Sequence, residues 1–129
     1  MKKIKHLIIS SLLLLLIGFV GCEYKTIVPD KGDPVDPEVP ISFSAEVEPI
    51  WTSQGCVSCH PSAGGLDLTV GNAHASLMSH PRAINKDNSS ESTILTFKTV
   101  QPGPHGSVDY VGNQSEIIKV WIDQGALDN

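Results

Sequence analysis

The sequence predicts an all-α domain over residues 41–129, and three observations carry that expectation. Apolar residues recur at helical spacing near both ends of this region, with no alternation of strands and helices between them. The middle is cut by Gly, Pro and Asn into short pieces. Between the first helical pattern and the rest stands Cys56-Val57-Ser58-Cys59-His60, two thiols two residues apart followed at once by an imidazole.

The first helix comes from Phe43, Val47, Ile50 and Trp51, at i, i+4, i+7 and i+8. Ser42 or Ser44 can cap its start. Pro49 lacks an N–H and clashes with the preceding turn, so a kink or a fresh helix is expected there. Gly55 marks the stop. Residues 61–72, with Gly64, Gly65 and Gly71, read as loop and turn, and Ala73–Met78 as a short helix with Asn72 at its cap. Residues 85–92 read as a polar loop. Ile94, Leu95, Phe97 and Val100 fit a further short helix.

Residues 101–112 hold Pro102, Gly103, Pro104, Gly106 and Gly112, too many breakers for regular structure. Asn113 with Glu116 three residues on has the form of a capping box. Ile117, Ile118, Trp121 and Ile122 then make an apolar stripe, ended by Gly125. Aromatic content is only 5%, so a domain of this size has a small core of its own. Trp51 and Trp121 are its bulkiest side chains, expected beside a cofactor, in a contact between the first and last helices, or simply in the core.

The C-x-x-C-H spacing is that of covalent c-type haem attachment. Each thiol adds across one haem vinyl group, and the adjoining imidazole lies under the iron as an axial ligand. Cys56, Cys59 and His60 take those roles, with one haem c per chain. Three other readings stay open: a structural zinc site, which wants four ligands where three are in hand; a thioredoxin-like dithiol, which wants a βαβ setting; and a chance match in a loop.

Residues 1–21 read as an export signal. Lys2, Lys3 and Lys5 form its positive start and Leu7 to Val20 its apolar run. At about 1.5 Å per residue that run spans about 21 Å, short of the roughly 30 Å hydrocarbon core. Phe19-Val20-Gly21-Cys22 resembles the lipobox of bacterial lipoproteins, which makes Cys22 the lipidated residue; a plain secretory signal with an incidental cysteine is the other reading. Residues 22–40 then form a Pro-rich acidic linker with Pro29, Pro34, Pro37 and Pro40. A tether of polyproline character reaches up to roughly 55 Å at 3.1 Å per residue. Without the signal's three lysines the chain has 6 basic and 14 acidic residues, a charge of −8 with neutral histidines. Nucleic acid is therefore a poor partner, and a basic redox protein an electrostatically favourable one.

From Phe43 to Ala126, about two thirds of the chain, the sequence resembles a class I c-type cytochrome domain. The residues that carry the resemblance are Val47-x-Pro49-Ile50 leading into Cys56-x-x-Cys59-His60, then Gly65-Leu66-x-Leu68, and Trp121-Ile122-x-x-Gly125-Ala126. The pattern is similar to the cytochrome c-like domains of planctomycete and Bacteroidetes lipoproteins. The resemblance implies N- and C-terminal helices packed around a covalently attached haem, and a distal ligand in the loop before the last helix, commonly Met before Pro. Here no methionine lies after Met78. His105, at the family's distal position between Pro104 and Gly106, is the leading candidate and Met78 the runner-up. His80, His74 and an open five-coordinate iron follow.

The expectation is thus a lipid-anchored electron-transfer protein of the bacterial cell envelope, on the periplasmic or outer-membrane side, attached to the membrane through Cys22. A haem-based sensor of small gases and an accessory module of a larger envelope complex are the alternatives. No carboxylate pair or nucleophile triad is placed by spacing, so enzymatic activity is not expected.

Overall fold

The chain's structure, a computed structural model, describes residues 32–100, 105 and 108–129, the side chains of 98–100 excepted. The signal segment, Cys22 and the linker up to residue 31 lie outside the described residues, as do Pro102, Gly103, Pro104 and Gly106. The described chain is helical and contains no strand.

Phe43–Val47 forms a π-helical turn that runs directly into α1, Glu48–Ser53. Pro49 is the reason for the widening. It has no N–H for the carbonyl one α-turn back, and its ring excludes that carbonyl from the usual position. The Glu48 amide accordingly reaches back five residues to Phe43 O. The expected break at Pro49 therefore takes the form of a wide turn followed by a new helix. Ser42 caps the turn: its hydroxyl accepts from Ala45 N at 3.3 Å, while Glu46 accepts from Ser42 N at 2.7 Å. The pairing is reciprocal in the manner of a capping box.

α2 (Ala73–Ser79) buries Ala73 and Leu77, one turn apart. Asn72 occupies its N-cap but the side chain makes no capping bond; it donates instead to Thr69 Oγ1 at 3.2 Å. α3 spans Thr93–Val100 and α4 spans Gln114–Asp123. On α4, Ile118, Val120, Trp121 and Ile122 are buried and Ile117 is half-buried. The capping box expected at its start does not form. Asn113 makes no capping bond, and its amide donates to the Asp33 carbonyl at 2.8 Å. Gly125 ends the helix with φ 105°, and the Ala126 amide returns to Trp121 O at 2.9 Å.

The core is the crossing of the first and last helical segments. Phe43 lies between the two tryptophans, with ring centroids 6.0 Å from Trp51 and 5.1 Å from Trp121. Both indoles are fully buried. Polar ties close the same seam. Gln124 accepts from Ile41 N and donates to the carbonyls of Pro37 and Val39, and Asn129 accepts from Phe43 N at 2.8 Å. Residues 33–40 are thereby pinned to the domain, with Val35 half-buried against its core. No helix of the described residues is long and apolar enough to cross a membrane.

Candidate haem-attachment site

Gly55 leaves α1 in the left-handed region, φ 72°, which a residue with a Cβ adopts at a cost. The chain then turns straight into a 3₁₀ turn over Cys56–Ser58. His60 N donates to Cys56 O at 3.0 Å and Cys59 N to the same carbonyl at 3.2 Å. Cys56, Cys59 and His60 thus stand at i, i+3 and i+4 of helix-like backbone, the spacing that gathers side chains on one face. Leu68 N, donating to His60 O at 2.6 Å, ties the following loop to the motif.

Both cysteines are free thiols, Cys56 half-buried and Cys59 exposed. Burial pushes the Cys56 thiol above its usual range, and the neighbouring Cys59 adds to the rise. A closed structural zinc site takes four ligands, and the motif itself offers three, Cys56, Cys59 and His60. Among the described residues no three His, Cys, Asp or Glu side chains gather as a metal-ion group. Haem iron asks for less, since the porphyrin supplies four nitrogens and the protein two axial donors.

The His105 ring stands beside that of His60. The two imidazoles are within 10° of parallel, with centroids 5.8 Å apart. With metal–imidazole nitrogen distances of about 2 Å, one ion shared by two imidazoles holds their centroids about 6 Å apart. Nδ1 of each ring is buried without a partner, as is that of His80, so it is the near-parallel placement of the two rings that distinguishes this pair. The residues present therefore fit a haem held through Cys56 and Cys59, with His60 and His105 on its two sides.

The other three candidates lie elsewhere. His74 Nε2 is on the Ala126 carbonyl at 2.9 Å and its ring meets Phe43 edge-on at 5.1 Å. His80 Nε2 is on the Gly64 carbonyl at 3.1 Å. Met78 is exposed on α2.

Of two residues not singled out for the site from the sequence, one meets His105 and the other backs the first. Phe97 meets the His105 ring edge-on at 5.4 Å and Tyr110 meets Phe97 at 5.7 Å. Phe97 had a visible helical spacing, whereas Tyr110 sits at the end of a breaker-rich stretch that gives its partner no periodic signal. No protein-family model, curated protein or solved structure matches the chain.

Proposed function

We propose that this chain is a lipid-anchored, extracytoplasmic c-type cytochrome that carries single electrons between protein partners. The observation that supports the reading most is the near-parallel His60–His105 pair beside a C-x-x-C-H turn with two free thiols. Cys56 and Cys59 hold the haem by thioether bonds, His60 is the proximal ligand and His105 the distal one. The haem, once bound, supplies a reversible ferric/ferrous couple. Two imidazoles give a lower potential than an imidazole and a thioether, since methionine sulfur favours ferrous iron. The lipobox-like Phe19-Val20-Gly21-Cys22 and the acidic, Pro-rich residues after it support a position near a membrane outside the cytoplasm, and the acidic composition favours a basic redox partner.

Expression in a host competent for c-type haem maturation tests the proposal. A haem-stained band on a denaturing gel and a pyridine haemochrome of one haem per chain are expected. Its absence overturns the reading. His105→Ala is expected to convert a six-coordinate low-spin spectrum to a five-coordinate or water-ligated one; an unchanged spectrum removes His105 from the ligand set. Slow uptake of carbon monoxide by the reduced wild type separates an electron carrier from a gas sensor, for which uptake is rapid.

A further inference from the structure

A histidine that ligates metal through one ring nitrogen is ordinarily aimed by a hydrogen bond from the other. Nδ1 of His105 is buried and has no such partner. Its direction must come from what packs around it, and the packing leads to one hydroxyl group.

Phe97 on α3 meets the His105 ring at 77°, and Tyr110 in turn meets Phe97 at 87°. The Tyr110 hydroxyl accepts from Trp51 Nε1 at 3.2 Å and donates to the Ile94 carbonyl at 3.0 Å. Trp51 belongs to α1, which leads into Gly55 and the haem motif, and is fully buried. Ile94 lies in the first turn of α3, the helix that carries Phe97. One phenol therefore joins three pieces of backbone: the helix before the thiols, the helix before His105, and the segment after it.

Resting on the haem reading above, we propose that Tyr110 is a positioning residue for the distal ligand: through Phe97 and its two hydrogen bonds it holds His105 opposite His60, and so governs how readily the sixth position opens to an outside ligand. Removing the hydroxyl leaves the Trp51 N–H and the Ile94 carbonyl without that partner. The support under Phe97 then loosens and His105 is less firmly held. A distal imidazole held less firmly stabilises ferric iron less, so the potential rises.

Carbon monoxide association with the reduced protein and the midpoint potential, read on haem-loaded Tyr110→Phe, Phe97→Leu and Gln124→Ala, test this. Tyr110→Phe is expected to keep its covalent haem and far-ultraviolet circular dichroism, to take up carbon monoxide at least tenfold faster than wild type, and to show a higher potential. Phe97→Leu is expected to move both in the same direction. Gln124→Ala, which cuts hydrogen bonds to residues 37–41 and touches neither Tyr110 nor Phe97, is expected to lower Tm without moving either. Wild-type uptake and potential in Tyr110→Phe overturn the positioning role and leave the cytochrome reading standing. Equal acceleration in Gln124→Ala overturns it as well, since general loosening then suffices. Should Tyr110→Phe fail to fold, Phe97→Leu decides by the same two readouts. Failure of the wild type to acquire haem overturns both proposals together.

Discussion

Tyr110 is half-buried and its hydroxyl is engaged on both sides. Burial pushes its phenol well above the usual tyrosine range, against the opposing effect of the Trp51 hydrogen bond. An acid whose folded pKa is raised stays neutral in the fold after the unfolded chain has begun to ionise, so its contribution to stability is lost as pH rises past about 10. Alkaline titration of the native protein followed near 295 nm is expected to give the same tyrosinate signal for wild type and Tyr110→Phe up to about pH 11. An excess of one tyrosinate in the wild type would show that the phenol is freely ionisable. Below that range the group keeps the proton it donates to Ile94 O. Charge at the Cys/His motif is sparse by comparison: between Glu48 and Arg82 the only charged side chain is Asp67. Its carboxyl is held below the usual range by the hydroxyl and amide of Thr69.

At the scale of elements, the terminal seam and the helix caps divide unequally. Gln124 makes three hydrogen bonds to the segment 37–41. Gln124→Ala is expected to lower stability by about 1–3 kcal/mol in urea denaturation, at roughly 0.5–1.5 kcal/mol net for each typical bond with exposed ones at the low end. Asn113 is different, because its side chain is spent on Asp33 O and not on the helix it precedes. Asn113→Ala is therefore expected to cost less than about 1 kcal/mol and to raise amide exchange around residue 33 more than along α4. Greater exchange at the start of α4 would mean the side chain does cap that helix. Pro49 shows the same contrast from the other side. Its chemistry predicts an interruption without saying whether a kink or a fresh helix follows; the wide turn that buries Phe43 and Val47 and the new helix from Glu48 appear only in the folded chain.

Across the whole molecule, the core rests on two tryptophans and one phenylalanine in the crossing of the first and last helical segments. A domain with so few large apolar side chains gains much from a buried prosthetic group that binds only the folded state. On the proposed haem reading, Cys56→Ser with Cys59→Ser removes both attachment points and is expected to melt well below a wild type matured with haem, by circular dichroism. An equal Tm in both would mean that the haem contributes nothing to the fold. The net charge of −8 carried by residues 22–129 with neutral histidines is a long-range property that leaves the fold itself unconstrained.

The positions of the helices were readable in the amino-acid chain because periodicity is local: Phe43 to Trp51 and Ile117 to Ile122 announce buried faces through neighbours three and four residues away. The Cys56-x-x-Cys59-His60 turn was readable for the same reason, since its chemistry lies within five residues. The capping box at Asn113 failed because its side chain was claimed by backbone 80 residues distant. Among His74, Met78, His80 and His105, the resemblance favoured His105 by its place before the last helix, while nothing local in the chain measured its distance from His60. Only tertiary packing brought the ring at 105 beside the ring at 60, set Tyr110 between Trp51 and Ile94, and turned His74 to Ala126 and Phe43. Those contacts join residues whose separation in sequence carries no period, and the packing of the helical segments fixes them.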